Sequence, residues 1–187
     1  MSPGDRLYLV RHGEAAASWG EDADPPLSEQ GSAEAVAAKD RLFALLDGQP
    51  GQLVSSPLLR AQQTALPLAD VCMATPAIDE AFREVPAPVP LPERQRWLRA
   101  FMQQRWDEQD ESLLAWRDRI FASLDALPCN SVVFTHFLVI NAIVGRLQHR
   151  EETLVFWPAN ASITILEKTA DGWAVAELGE SMRSIVN

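Results

Sequence analysis

Long apolar runs are missing from this chain, and none approaches the roughly 20 residues that a membrane-spanning helix needs. The N-terminal Met1-Ser2-Pro3-Gly4-Asp5-Arg6 has no basic segment followed by an apolar one, so no signal peptide is expected. Positive charge is also short, with 16 Lys and Arg against 26 Asp and Glu and a net charge of −10. That balance argues against nucleic acid as a partner, because a phosphate backbone requires a basic footprint. Cysteine is limited to Cys72 and Cys129, too few for a disulfide framework and without metal-ligand spacing. Both lie among apolar residues, which predicts buried free thiols. The three histidines are not closely paired, so no metal cluster and no other cofactor is expected. These absences describe a soluble cytoplasmic protein with no membrane partner, and they leave monomer or homodimer open.

What is present is ordinary in bulk: 187 residues, 47% hydrophobic and 22% charged, enough for one domain with a real core. One stretch is not ordinary. Leu7-Tyr8-Leu9-Val10 reads as a buried parallel strand and ends abruptly in Arg11-His12-Gly13-Glu14. Parallel strands present functional groups at their carboxyl ends. Arg11 offers a planar fork of donors for phosphate oxygens, and His12 a nucleophile or base usable near neutral pH. Gly13 allows a sharp turn and leaves room for a ligand.

A polar loop from Ala15 to Pro26 follows, and then a helix opens at Ser28 as N-cap. Val36, Leu42, Leu45 and Leu46 mark its predicted apolar face, and Asp47-Gly48-Gln49-Pro50-Gly51 stops it. Gln52-Leu53-Val54 is a short strand leading into Ser55-Ser56-Pro57. The next helix is predicted over Leu58–Val71, with Ser56 as N-cap, Arg60 in its first turn and Pro67 inside it. Residues 75–92 are irregular and hold five of the thirteen prolines. Helical patterns then cover Glu93–Trp106 and Glu111–Leu127. Ser131–Thr135 is a further strand, followed at once by His136 and an apolar helix from Phe137 to about Gln148. Trp157-Pro158-Ala159-Asn160 reads as a turn, and a hairpin is predicted across Asp171-Gly172. Strands alternating with helices give an α/β fold, a three-layer α/β/α sandwich with a mostly parallel sheet.

Three strand ends point one way: Arg11-His12, Ser56 leading to Arg60, and Thr135-His136. An acidic protein that binds phosphate must gather its cations locally, and these residues do so. Together they resemble the histidine phosphatase superfamily, the phosphoglycerate mutase-like proteins. The resemblance rests on Leu9-Val10-Arg11-His12-Gly13-Glu14 and on Asp24, Leu27, Ser28 and Gly31. It continues through Ser55-Ser56-Pro57-Leu58-Leu59-Arg60-Ala61-Gln62-Gln63-Thr64-Ala65. Glu111-Ser112, Thr135-His136 and Asn160-Ala161-Ser162 are weaker matches in the same order.

The resemblance implies that His12 attacks phosphorus and becomes a phosphohistidine, with Arg11, Arg60 and His136 on the non-reacting oxygens. A proton donor is implied between the second block and the helical insertion; Glu84 is the choice and Glu80 the alternative. Glu14 belongs to the signature but is expected to fix the loop. Residues about 80–127 would form a helical and irregular cap over the site, within a single domain spanning 1–187. Three departures bear on function. Phe137 stands where the family often has glycine; its backbone N–H can still meet phosphate while its side chain reshapes the pocket. Ser18 stands where mutase-like members commonly carry asparagine on the phosphate. Residues 84–110 lack the extended block expected of a true mutase, whose chemistry must shield the phosphohistidine from water. The favoured expectation is a phosphomonoesterase acting on a small phosphorylated metabolite. Phosphoglycerate mutase, phosphohistidine-protein phosphatase and a non-catalytic phosphate-binding protein are the alternatives.

Overall fold

The computed structural model describes residues 5–18 and 20–182; the Met1-Ser2-Pro3-Gly4 stretch invoked against a signal peptide lies outside them. Four strands run parallel: β1 (Arg6–Arg11), β2 (Leu53–Ser55), β3 (Ala77–Ile78) and β4 (Ser131–Thr135). A hairpin of β5 (Ile163–Thr169) and β6 (Gly172–Glu177) adds antiparallel to β1, giving the order β3-β2-β4-β1-β5-β6. The central strands alternate with period two, and the alternation sorts their side chains onto two faces. Leu7, Leu9 and Val133 join one core; Tyr8, Val10, Val132 and Phe134 join the other. Helices α1 (Glu29–Leu45) and α2 (Leu59–Cys72) cover the second face. Helices α3 (Arg94–Phe101), α4 (Glu111–Ala126) and α5 (Phe137–Leu147) cover the first. The result is the expected three-layer α/β/α arrangement. Among the described residues no helix is long and apolar enough to cross a membrane.

Several local expectations need correction. Helix α1 does begin at Ser28, whose side chain accepts from the Gly31 amide. Its buried face, however, is Gly31, Ala35, Ala38 and Leu42, while Val36 and Leu45 are exposed. Small residues won that face because α1 packs closely against the loop after β1. Helix α2 begins one residue later than predicted, and Ser56 is not its cap: Leu58 holds that position without a side-chain bond. Helix α3 ends at Phe101 instead of Trp106. The Thr153 hydroxyl takes the carbonyl oxygens of Phe101 (2.5 Å) and Gln104 (3.1 Å), so the chain finds partners without another helical turn. Cys72 and Cys129 are free but only half-buried.

The contact that sets the site's position is between two glycines. A Cβ on Gly13 would lie 2.5 Å from the Gly31 carbonyl oxygen, and one on Gly31 would drive into the Glu14 carbonyl. The loop therefore lies flat on the first turn of α1, sewn there by Ser28 Oγ to Glu14 Oε1 (2.7 Å) and the Glu14 amide to Glu34 (2.8 Å). Glu14 fixes the loop, as its place in the sequence suggested. In Gly31→Ala, helix propensity gains at most about 1 kcal/mol, whereas forcing the backbones apart costs about 1–3 kcal/mol or more. We expect a lower melting temperature by several degrees, measured by calorimetry; an unchanged or raised value would mean that the loop yields freely.

Candidate active site

The parallel register brings three strand ends to one sheet edge. Arg11 pairs with Thr135 across β1 and β4, and Ser55 with Phe134 across β2 and β4. Amides continue the pairing past the strands, His12 to Thr135 O (3.0 Å) and Ser56 to Phe134 O (3.0 Å). Arg11, His12, Arg60 and His136 are thereby gathered, and all four are buried.

The tautomer of His12 follows from its neighbours. Nδ1 lies 2.6 Å from the Gly13 carbonyl oxygen, which can only accept, so Nδ1 carries the proton. The Arg60 Nε–H donates to Nε2 at 3.2 Å, so Nε2 carries the lone pair. Burial, then Arg11 and Arg60, push the His12 pKa well below its ordinary value, while the Gly13 bond opposes the shift. The ring is a neutral imidazole whose Nε2 lone pair faces a guanidinium. Thr64 holds this geometry from behind, accepting from the Gly13 amide (3.0 Å) and donating to the Arg60 carbonyl (2.7 Å).

His136 lies with its ring centroid 5.3 Å from that of His12. Its Nε2 is 2.7 Å from Ser56 Oγ, which also accepts from the Leu58 amide. Ser56 thus orients a histidine where a helix cap was expected. Burial first, then His12 and the arginines, lower the His136 pKa well below the usual range. Its Nδ1 is buried without a partner among the described residues. Arg11 donates to the Pro158 carbonyl (2.8 Å) and to Met182 Sδ (3.3 Å). Burial lowers its pKa to about 10, so it stays a cation at neutral pH. Phe137 has a visible part in this: its ring centroid is 5.1 Å from the Arg11 guanidinium carbon, and Trp157 meets it edge-on at 5.3 Å.

Glu84 is buried, its oxygens accepting from the amides of Val85 (3.0 Å) and Leu138 (3.2 Å). Burial raises its pKa above the ordinary carboxylate value, opposed by those amides and by Arg60 and Arg94. Glu80 differs: it is exposed, bonded to Arg83 at 2.9 Å, and that bond lowers its pKa. Ser18 is exposed at the rim of the central cavity, its amide bonded to Glu21.

The central cavity, about 280 Å³, is bordered by Arg11, His12 and Arg60, and also by Arg94, Gln95 and Asn160. Arg94 escaped the sequence reading. The signal was present: Arg94, Leu98 and Phe101 share one helical stripe at i, i+4, i+7, which puts Arg94 on the buried side of α3. Of residues 80–127, the part near 84–95 borders the site, whereas α4 packs on α5 in the sheet's helical layer.

A neutral histidine among buried arginines at the carboxyl edge of a parallel sheet defines a phosphate-handling α/β enzyme. The chain belongs to the histidine phosphatase superfamily (branch 1), whose family model matches residues 7–181. It is 27% identical to the probable phosphoglycerate mutase GpmB of Yersinia pestis (strain Pestoides F), over 94% of this chain and 93% of the relative. The mycobacterial glucosyl-3-phosphoglycerate phosphatase solved with inorganic phosphate matches at TM-score 0.73 and 23% identity, covering 95% and 98% of the two chains. Phosphoserine phosphatase from Entamoeba histolytica, solved with 3-phosphoglyceric acid, matches at TM-score 0.71 and 19% identity, covering 95% and 98%. These structures share the fold.

The lowered pKa values have a direct readout. The ring resonances of His12 and His136 should keep their neutral positions well below pH 6.5 in a two-dimensional NMR titration. A midpoint at or above 6.5 for His12 would contradict the assigned environment.

Proposed function

We propose that the chain is a phosphomonoesterase that transfers phosphate through His12, with hydrolysis favoured over mutase chemistry. The observation that carries the reading is the His12 ring, fixed as the neutral tautomer with its Nε2 lone pair turned into the cation cluster. Nε2 attacks phosphorus, and the bond to the leaving oxygen breaks. Arg11, Arg60 and the His136 Nδ1–H bind the non-reacting oxygens, and the Phe137 amide lies at the same helix start. Protonated Glu84 gives its proton to the leaving alcohol. The carboxylate it becomes then takes a proton from the water that attacks phosphohistidine, which restores both groups and releases phosphate. Three arginines supply the positive charge, so the scheme asks nothing of a metal ion. Ser18, at the rim, makes at most an outer contact.

The preference for hydrolysis rests on residues 84–110, which carry no extended block to keep water from the phosphohistidine, as a mutase must. The substrate class is a small phosphorylated metabolite, and the reading is of a cytoplasmic enzyme, monomer or homodimer, with an acidic composition and, among the described residues, no helix long and apolar enough to cross a membrane.

The test is hydrolysis of an aryl phosphate with and without chelator. Wild type should be active in both, and His12→Ala inactive, with no acid-labile phosphate trapped on the protein. Arg60→Ala should lose about two to three decades in rate, the worth of one charge-assisted contact in the transition state. Silence from the wild type, with turnover of 3-phosphoglycerate to its isomer, would favour the mutase. In kcat/KM, which reports transfer to His12 and not the later attack of water, Glu84→Gln should cost about a hundredfold or more with an alkyl phosphate and far less with 4-nitrophenyl phosphate, whose leaving group needs no proton. The pH dependence has a definite sign. The raised Glu84 pKa keeps the acid protonated above pH 4.5, and the lowered His12 pKa keeps the nucleophile free below 6.5. Activity on alkyl phosphates should therefore peak on the acid side and decline as Glu84 ionises; a rise toward alkaline pH would overturn the assignment.

A further inference from the structure

Glu84, the proposed acid, does not border the cavity that holds His12. It borders a second cavity of about 320 Å³, and Ala23 and Arg94 line both. An acid must come within hydrogen-bond reach of the oxygen it protonates. The leaving oxygen therefore sits at the junction beside Arg94, and the group it carries extends into the second cavity.

The walls of that cavity state its chemistry. Leu58, Val85, Ala87, Val89 and Leu91 line it, together with Pro86. Its charged members are Glu84 itself, Arg94 at the junction, and Arg83, already bonded to Glu80. The sequence that builds the wall is Val85-Pro86-Ala87-Pro88-Val89-Pro90-Leu91-Pro92, with a proline at every second position. Burial follows the same period: Val85 is buried, Ala87, Val89 and Leu91 are half-buried, and the four prolines are exposed. Each proline fixes its own φ near −65° and restricts the residue before it. The wall is thus held in one shape with few alternatives, and it presents aliphatic side chains on its inner side. A preformed apolar wall binds without an ordering cost.

We infer that this second cavity is the leaving-group pocket, and that it selects phosphate monoesters of alcohols bearing an uncharged ring or branched hydrocarbon. The inference rests on the phosphatase reading for the role of Glu84. The space is ample for a six-membered ring, since an apolar cavity of about 150 Å³ takes benzene. Arg94 closes the pocket on the phosphate side, where its buried Nε, without a partner among the described residues, faces the same cluster as Arg60 and His136. Deeper in, a second anionic group on the substrate would find aliphatic side chains, the Glu84 carboxyl, and Arg83, whose charge is already taken up by Glu80.

The experiment is calorimetric titration of the whole chain with inorganic phosphate, phenylphosphonate and phosphonoacetate. The two phosphonates have C–P bonds that the chemistry above cannot cleave, so binding is read apart from turnover. Phenylphosphonate should bind about ten- to a hundredfold more tightly than inorganic phosphate, the effect of burying one phenyl ring. Phosphonoacetate should show no such advantage. Ala87→Trp, which fills the pocket, should abolish the phenyl preference while the affinity for inorganic phosphate changes less than twofold. Val89→Thr, which keeps the shape but sets a hydroxyl in the apolar wall, is the second variant should the first misfold, and it should reduce the preference severalfold. Tighter binding of phosphonoacetate, or a phenyl preference that survives both substitutions, would overturn the pocket. Absent hydrolysis of phenyl phosphate with the ring preference intact would overturn the phosphatase reading and leave the pocket standing.

Discussion

A single proton governs this site. Because it is held on Nδ1 of His12 by the Gly13 carbonyl, the lone pair is forced onto Nε2, beside Arg60. The ring could not be charged there without facing two buried guanidinium groups, so the arginines that would bind an anion also keep the imidazole uncharged. The two roles are one electrostatic fact. An incoming dianion relieves the repulsion among the cations, whereas an imidazolium would set a second donor against the Arg60 Nε–H and leave Nε2 no lone pair. Everything behind the ring serves this geometry: Thr64 spans Gly13 and Arg60, and the paired glycines let the loop lie against α1.

Two kinds of support keep such a cluster in place within an acidic protein. One is polar and short-range: Pro158 on Arg11, Ser56 on His136, and backbone amides on Glu84. The other is aromatic. Phe137 places a π face near the Arg11 guanidinium, and Trp157 braces that ring edge-on. A glycine at position 137 would give neither contact. The departure from the family pattern that was expected to reshape the pocket is, in the folded chain, part of how the cation is held.

The sheet and its carboxyl-edge residues were legible because they depend on short-range signals. The apolar runs at Leu7–Val10 and Ser131–Thr135 have the period and composition of buried strands, and Arg11-His12 and His136 follow them with no intervening residues. What was not legible depends on partners far along the chain. Ser56 has the chemistry of a helix cap, and only the arrival of His136, 80 residues later, gives it another use. Helix α3 stops at Phe101 because Thr153 takes its carbonyl, which no local pattern announces. The exposure of Val36 and Leu45 reflects a helix face chosen for small size over hydrophobicity, since Gly31 and Ala35 admit the site loop. Arg94 was legible in principle from the helical period, but three arginines in one short helix concealed the inward one.

The bond from Arg11 to Pro158 joins residues 147 positions apart, the Gly13–Thr64 bond spans 51 and the His136–Ser56 bond 80. Closing loops of this length costs entropy that only the finished fold repays. The complete cluster draws on β1, α2, the start of α5 and the turn at Pro158, so all of its buried charges meet only when elements from both ends of the chain are in place. The desolvation of these cations is thereby tied to closure of the whole sheet, so the site and the fold are lost together rather than one before the other.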